Sequence, residues 1–476
     1  MLDERGVSEI IGAMWRLRLT ERGRMDRISG YHNGLRGVPA VPEGASAEVK
    51  EIARLSVKNV LGLVVDSFAQ NLSVIGYRDA LAQENDPAWS MWQRNRMDAR
   101  QALVHVPALT YGAAYVTVVR SDAGPVINPR SPKQILTAYD DPVGDEWPEF
   151  AMEIWTTEPA GEQRRRGRLY DDEYYYDLDL GPVLGVETSS ATSPISARMV
   201  GDPVAHGATY GGRDVCPVVR FVNGRDADGE IVGEVAPLIR DQQAINHVAM
   251  DRMLVSRFGA RPQWVITGWT AARNAILKAA ASQILTFDDP DVKAQSLPPA
   301  AMEPYNSVLD EMIQHVAMRA QISPSQVTGK MVNVSAEALA AAEANQQRKL
   351  QAKRDSFGES WEQVLRLAAE MDGDPATAGD SAAEVVWRDT EARAFGAVVD
   401  GVTKLAAAGV PIEELVSLVP GMTQQQVKGI RDRMRAGAAG SLVDRLLAQP
   451  AAPVPPAPET AVADAAAEVD GAASSP

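Results

Sequence analysis

Apolar positions in the first quarter of the chain repeat at helical spacing and then change to a strand-like run. The pattern predicts helices over residues 1–28 and Glu48–Leu72, and a shorter one around Trp89–Tyr111. The following run AAYVTVVR is rich in β-branched and aromatic residues, which favour a strand. The chain therefore begins with helices and continues into a sheet.

Short strands and loops are predicted in the middle of the chain. Residues Ala151–Tyr176 predict a β-hairpin, with strands AMEIW and RLYDDEYYY joined through EPAGEQRRRG. The arginines within 164–168 suggest nucleic-acid binding, but acidic DDE follows at once, so a solvated hairpin tip is the better interpretation. Residues 181–213, rich in Gly, Ser, Thr and Ala, predict a loose loop before the strand PVVRFVN.

Three helices are predicted in the second half of the chain, at 237–258, Glu303–Gln321 and from Ala336 to about Met371. The first two are expected to run together as a stalk. Between them lies a short extended module, 261–299, with the strands QWVIT and QILTF, which would sit at the far end of the stalk. The third helix would be about 50 Å long at a rise of about 1.5 Å per residue, and DGDP ends it.

The third helix changes character along its length. Its first half is small and polar, which suits close packing of neighbouring subunits or the border of a channel. Its second half is amphipathic and predicts a core-facing stripe. The core positions are Phe357, Trp361, Val364, Leu365 and Ala368.

A strand EVVWRD and two or three small helices within 391–437 are predicted to close the ordered part. From Gln449 the chain is rich in Ala, Pro and Glu and lacks Lys and Arg. Such a segment has too little apolar surface to pack, so disorder is expected.

The amino-acid composition narrows the possible functions of the chain. The 476 residues are 45% hydrophobic and 23% charged, which is typical of a soluble protein with two or three packed regions. The formal net charge of -16 disfavours general adhesion to nucleic acid, so any DNA contact must be local or weak. Cys216 is the only cysteine and is expected to be a buried small residue. No signal peptide or membrane span is predicted, so synthesis in the cytosol is expected.

Candidate catalytic motifs fail on spacing. The pair Gly329-Lys330 in TGKMVNVSAEAL lacks the earlier glycine of a phosphate-binding loop, and Met331 stands where Ser or Thr would bind magnesium. The five histidines show no paired spacing for zinc. The acidic clusters at 140–141 and 288–291 adjoin prolines and indicate turns. The sequence predicts neither an enzyme nor a bound metal or cofactor.

Seven short stretches occur in one order along the chain: YHNG (31–34), NVLGLVVDSFAQNLSVIGYR (59–78), WQRNRMD (92–98), LTYGAAYVTV (109–118), SPKQILTAYDDP (131–142), PVVRFVN (217–223) and NVSAEAL (333–339). In the second half of the chain, the predicted elements follow the order helix, small module, helix and loop, and NVSAEAL then leads into the long helix. Together these features resemble the portal proteins of tailed bacteriophages over most of residues 25–437.

The resemblance implies an α+β, largely helical fold with wing, stem, clip and crown regions in a ring, usually a dodecamer. The implied regions are the wing (1–229), first stem helix (230–260), clip (261–299), second stem helix (300–321), tunnel loop (322–335), long wing helix and strand (336–390), crown (391–440) and disordered tail (441–476).

The implied function is a channel at one capsid vertex through which DNA is packaged and ejected. Lys330, Met331 and Asn333 of the tunnel loop would face the passing duplex, with Gly329 supplying backbone freedom and Ser335 capping the long helix. The clip would dock terminase and later the adaptors through Gln263, Trp264, Val265 and Ile266.

The implied partners are further copies of the chain, double-stranded DNA, the terminase large subunit, head–tail adaptor proteins, and the major capsid and scaffold proteins, with no membrane. The implied location is the portal vertex of the virion, and the host cytoplasm during assembly. Two alternatives stay open: a helical scaffold or adaptor of phage head assembly that forms no channel, and a nucleotide hydrolase that uses Lys330.

Overall fold

The computed structural model of the chain mixes helices and sheets, and about half of the chain is helical. This confirms the predicted mixture of α and β structure. The described residues are 1–81, 83–159, 162–183, 197–226, 228–259, 263–267, 291, 293–297, 300–329, 336–389, 395–411, 415–416 and 424–448.

The three helices predicted in the second half of the chain are confirmed as α7, α8 and α10. A 3-10 turn, Ala236–Leu238, precedes α7, and a π-helical turn, Val255–Gly259, continues it. The helices in chain order are α1 (Glu4–His32), α2 (Ala47–Leu55), α3 (Val60–Ala69), α4 (Asp86–Arg94), α5 (Met97–Arg100), α6 (Ala102–Tyr111), α7 (Ile239–Leu254), α8 (Glu303–Ala320), α9 (Pro324–Thr328), α10 (Ala336–Asp372), α11 (Pro375–Ala378), α12 (Phe395–Ala407) and α13 (Gln424–Ala448).

The strands pair mostly with strands that are close in sequence. In chain order they are β1 (Val74–Arg78), β2 (Ala113–Ser121), β3 (Gly124–Arg130), β4 (Ile135–Ala138), β5 (Phe150–Thr157), β6 (Arg164–Tyr170), β7 (Tyr174–Pro182), β8 (Arg198–Met199), β9 (Val204–Ala205), β10 (Thr209–Tyr210), β11 (Arg213–Asp214), β12 (Val218–Val222), β13 (Gln263–Thr267), β14 (Lys293–Leu297) and β15 (Glu384–Trp387).

The strands form two larger sheets and three pairs. One sheet has the order β12-β2-β3; the other has six strands, β4-β5-β6-β7-β8, with β9 also on β7. Each of these pairings is antiparallel, and Tyr115 of β2 lies opposite Arg220 and Arg130. The pairs are β1-β15, β10-β11 and β13-β14.

The prediction of a single helix over Glu48–Leu72 is wrong, because a non-helical segment separates α2 from α3. The Asn59 side chain caps α3 by accepting from Gly62 N at 3.1 Å. In the break, Lys58 N donates to the side chain of Asn246, Oδ1, at 3.0 Å. A residue nearly two hundred positions away therefore stabilises the interruption.

The predicted helix around Trp89–Tyr111 is likewise divided, into α4, α5 and α6. Arg96 takes a left-handed conformation with φ of 54°. The buried Asn95 side chain donates to Pro125 O at 3.1 Å and accepts from Ile127 N at 2.9 Å. These bonds to β3 stabilise the break.

The predicted hairpin Ala151–Tyr176 is wrong in its second strand. Asp171 accepts hydrogen bonds from the backbone N–H groups of Glu173 and Tyr174 at 2.9 and 2.5 Å, which makes a turn inside RLYDDEYYY. The run therefore contributes to two strands, β6 and β7.

The arginines within 164–168 lie in strand β6 and not at a solvated tip. Arg164 pairs with Asp179 at 2.9 Å, and Arg168 pairs with Asp177 at 2.7 Å. Both acids are on β7, so these cations are held by cross-strand ion pairs.

The loose loop predicted at 181–213 is wrong over its described parts, 181–183 and 197–213, because β7 continues to Pro182 and the strands β8 and β9 pair with it. Residues 184–196 lie outside the described residues. Helix α13 also runs through 441–448, which the sequence assigned to the disordered tail. The later residues of that tail lie outside the described part of the chain.

Two layers hold most of the core. Helix α10 packs against the three-stranded sheet, and the predicted core positions Phe357, Trp361, Val364, Leu365 and Ala368 are all fully buried. Helix α1 packs on the six-stranded sheet, where Ile11 and Trp15 join Met152 and Leu178. Amphipathic spacing therefore identified the apolar face of α10 correctly.

His105 is buried at the centre of the larger core. Trp361 Nε1–H donates to His105 Nε2 at 2.9 Å, and the Nδ1 of His105 lies 3.2 Å from Leu72 O. Because the indole can only donate, Nε2 must be unprotonated, and the proton is on Nδ1. Burial lowers the pKa of His105 to about 4, although the bond to Leu72 opposes the shift.

This pKa predicts how stability depends on pH. Between about pH 6.5 and pH 4 the unfolded chain binds a proton at this imidazole and the folded chain does not. The free energy of unfolding should therefore fall by up to about 3 kcal/mol as pH drops through that window. Urea unfolding of the chain and of His105→Gln at several pH values measures it. An identical pH dependence in the two proteins would contradict the assignment.

Candidate functional site

Helices α7 and α8 lie side by side and antiparallel. Arg252, near the end of α7, donates to Asn306, near the start of α8, with 3.4 Å between Nη1 and Oδ1. At the other end, Arg319 of α8 is ion-paired with Asp241 of α7. Just beyond the helices, Ala300 N donates to Gly259 O at 2.9 Å. The two helices therefore run together, as the sequence predicts.

The helix pair is buried at one end and exposed at the other. Ile245 of α7 and Val316 of α8 are fully buried against the rest of the chain. Beyond Met250 on α7 no described residue is buried, and Phe258 in the π-helical turn is 46% exposed. Val308, in the first turns of α8, is 42% exposed. The far half of the pair thus carries apolar side chains that the described chain does not cover.

Strands β13 and β14 form an antiparallel hairpin in the module between α7 and α8. The predicted strand QWVIT is confirmed as β13, and it pairs with Lys293–Leu297, from Gln263 opposite Leu297 to Thr267 opposite Lys293. The second predicted strand, QILTF, lies outside the described residues. The proposed docking residues Gln263, Trp264, Val265 and Ile266 are consecutive positions of β13, and their side chains are outside the described part.

The predicted tunnel loop begins with a helical turn. Helix α9 (Pro324–Thr328) ends at Gly329, which has a φ of 64°, a value that favours glycine. A Cβ there would meet no atom within 4 Å, so the backbone conformation and not crowding explains this glycine. The predicted DNA-facing residues Lys330, Met331 and Asn333, and the predicted cap Ser335, lie outside the described residues.

A buried ionic cluster lies at the base of the helix pair. We call it the stem-base cluster; its members are Glu234, Lys349, Lys353 and Asn223. Glu234 accepts from both lysine ammonium groups at 2.6 Å, one on each carboxylate oxygen. Lys353 also donates to Asn223 Oδ1 at 2.6 Å.

The stem-base cluster ties three parts of the fold together. Glu234 leads into α7, and its backbone N–H donates to Leu109 O of α6 at 2.7 Å. Lys349 of α10 also donates to Ala320 O, the last residue of α8, at 3.0 Å. The start of α7 and the end of α8, which lie at the same end of the helix pair, are therefore both fastened to α10. A cavity of about 360 Å³ adjoins the cluster.

Burial and ion pairing compete at these charges. Burial opposes ionisation of Glu234, but the nearby ammonium groups of Lys353 and Lys349 outweigh it and hold the pKa of Glu234 below its ordinary value. Burial lowers the pKa of Lys353, and the attraction of Glu234 offsets only part of that shift. Glu234 is therefore ionised near neutral pH, and the two lysine ammonium groups depend on its charge.

The described part of the chain has few other features that indicate a functional site. There, no group of three or more His, Cys, Asp or Glu side chains is placed to hold a metal ion. Cys216 is buried, as predicted, and burial raises its thiol pKa. Among the described helices, each is too short or too polar to span a bilayer.

Residues 18–438 match the family model described as "Phage portal protein, SPP1 Gp6-like". The matched range includes α7, α8, α10 and the β13–β14 hairpin. The chain belongs to this phage portal protein family. The resemblance inferred from the short sequence stretches is confirmed.

Two curated relatives support the assignment. The chain is 27% identical over 367 residues to the portal protein of Mycobacterium phage D29, covering 73% of this chain and 72% of the relative. It is 26% identical over 425 residues to the portal protein of Mycobacterium phage L5, covering 83% of each. The portal family is structural and non-enzymatic, so the prediction that the chain is not an enzyme is confirmed.

Similar solved structures come from gene transfer agent particles. A chain of the neck of the empty particle, computed with C6 symmetry, is 13% identical with a TM-score of 0.46. A chain of the native virion is 13% identical with a TM-score of 0.44. Each match covers 83% of this chain and 100% of the other. The family assignment rests on the sequence match.

Sequence reasoning missed the stem-base cluster. Glu234 lies 115 and 119 residues from its two lysine partners, so their meeting depends on the tertiary fold. One local signal was present, because Lys349 and Lys353 are four residues apart and share one face of α10.

Proposed function

We propose that this chain assembles into a ring, a dodecamer, whose central channel passes DNA at one capsid vertex during packaging and ejection. The observation that carries the proposal is the family match over residues 18–438. That range includes both helices of the pair and the hairpin between them, so the predicted stem and clip lie within it.

Exposed apolar side chains support assembly with further copies. Phe258 and Val308 lie on the far half of the α7–α8 pair, away from the buried base. In a ring, the pair of one copy packs beside the pair of the next, which would remove such side chains from water. The stem-base cluster would hold each pair at a fixed angle to its own wing.

The acidic composition suits a channel through which DNA slides. Each phosphate that a fixed lysine or arginine neutralises strengthens binding and its dependence on salt. A chain with a net charge of -16 offers little general attraction. We assign the few close contacts to the loop after α9, where Lys330, Met331 and Asn333 would face the duplex.

The β13–β14 hairpin is the proposed clip. It would dock the terminase large subunit during packaging and head–tail adaptors afterwards, while the wing and crown would contact the major capsid and scaffold proteins. Assembly would take place in the host cytoplasm before the ring becomes part of the virion.

A clip substitution tests this assignment. Replacing Val265 by Asp is expected to reduce DNA packaging by more than about tenfold, because a buried carboxylate without a partner costs several kcal/mol at an interface. Rings should persist, since the stem lies outside the hairpin. Packaging is measured by DNase-protected DNA in complemented phage, and rings by electron microscopy.

Two further substitutions provide the controls. Neighbouring residues of a strand point to opposite faces, so Ile266→Asp tests the other face of the hairpin. Lys50 is exposed on α2, outside the proposed clip, and Lys50→Asp should leave packaging unchanged. Normal packaging with both the Val265 and the Ile266 variants would overturn the docking assignment.

A further inference from the structure

A second charged cavity, of about 470 Å³, lies between α1 and one edge of the six-stranded sheet. Arg18 and Arg22 of α1 line it, together with Lys133, which lies just before β4. Thr156 of β5 completes part of the wall. Residues of the helix pair and of the stem-base cluster do not line this cavity, so it is a separate feature.

Arg18 is the innermost cation of this cavity. It is only 9% exposed. Its Nη1 donates to Lys133 O at 2.9 Å, whereas its Nε has no hydrogen-bond partner among the described residues. The guanidinium groups of Arg18 and Arg165 lie 5.9 and 5.5 Å from the Trp15 ring centroid. Burial, together with the charges of Arg22 and Arg165, lowers the pKa of Arg18 to about 10, although the charge of Asp26 opposes the shift.

The two carboxylates in the wall, Glu21 and Asp26, pair with neighbouring cations and not with Arg18. Asp26 lies 3.1 Å from Lys133 and 3.6 Å from Arg22. Glu21 pairs with Arg24 at 2.9 Å. Within the described part of the chain, Arg18 makes no ion pair with a carboxylate, so the cavity has an excess of positive charge around a buried guanidinium.

We propose that this cavity binds a small free oxyanion of the phosphate class, with Arg18 at its floor and Arg22 and Lys133 at its rim. These donors come from different directions, and a tetrahedral anion accepts hydrogen bonds from several directions at once. A phosphate within duplex DNA is attached to a wide rod, which cannot approach a side chain as deeply buried as Arg18. The site does not depend on the proposed channel.

Calorimetric titration of the full-length protein with inorganic phosphate, at an ionic strength fixed by NaCl, tests the proposal. Saturable binding at one site per chain is expected. Arg18→Met should weaken it by about tenfold or more, which is the expected effect of losing charge-assisted hydrogen bonds. A parallel titration with a short DNA duplex distinguishes free phosphate from backbone phosphate.

Two further variants distinguish a loss of phosphate binding from a loss of folding. Arg22→Gln changes the rim of the cavity and should weaken phosphate binding several-fold, while Arg54→Gln changes an exposed arginine of α2 and should not affect it. The proposal is overturned if the wild-type chain does not bind phosphate, if only the duplex binds, or if the affinity is the same in the wild type and both cavity variants.

Discussion

Replacing Glu234 by glutamine is expected to lower the free energy of unfolding by about 3–5 kcal/mol, because it leaves Lys353 as a buried ammonium without its counter-ion. Lys353 is 4% exposed, and its remaining partner is the neutral side chain of Asn223 at 2.6 Å. Lys349 loses the same carboxylate but is more exposed, so it can keep part of its hydration. Urea unfolding near neutral pH measures the change.

Two controls show whether the loss comes from the unpaired charge. Glu230→Gln alters an exposed carboxylate four residues earlier and should change stability by less than about 0.5 kcal/mol. Adding Lys353→Met to Glu234→Gln removes both buried charges and should recover much of the loss. A destabilisation below about 1 kcal/mol for Glu234→Gln alone would contradict the importance of this ion pair.

Replacing Trp361 by alanine is expected to cost about 3–5 kcal/mol, since it empties the centre of the main core. The indole is fully buried, with ring centroids of Phe221 and Trp92 at 4.6 and 4.9 Å. The change also removes the donor to His105 Nε2, which leaves a buried acceptor unpaired. Thermal and urea unfolding both measure the effect.

The matched control for this core position is Leu103→Ala. Leu103 on α6 is 59% exposed although its neighbour Val104 is fully buried. The substitution should change stability by less than about 0.5 kcal/mol. Equal losses in the Trp361 and Leu103 variants would contradict the placement of the core.

Local periodicity was enough to predict the long helices. The spacing of apolar residues gave α7, α8 and α10 with nearly correct bounds, because each helix buries one stripe and exposes the rest. The same spacing could not reveal the breaks at 56–59 and 95–96. Those breaks are stabilised by Asn246 and by the backbone of β3, which are distant in sequence.

The strand errors have a similar cause. In RLYDDEYYY, strand-forming residues flank the acidic turn DDE on both sides, and hydrogen bonds from two backbone N–H groups to the Asp171 side chain define that turn. The arginines of β6 looked solvated because their partners, Asp177 and Asp179, are brought opposite only by strand pairing. Cross-strand partners are set by register, which a single strand does not specify.

For the candidate site, the order of elements was more informative than any residue. The helix pair and the strand QWVIT between its helices were predicted and are present in the structure, whereas the pairing of that strand with Lys293–Leu297 was not predicted. The stem-base cluster was missed because its charges come from the segment before α7 and from α10, which are more than a hundred residues apart in the sequence. The roles of Lys330, Met331, Asn333 and β13 stay predictions.

The most direct test of ring assembly is electron microscopy of the purified full-length protein, at high concentration and across a range of salt concentrations. We expect annular particles, with twelve copies around a hole wide enough for duplex DNA. Only monomers or small closed oligomers without a central hole, under every condition and in the virion as well, would contradict it.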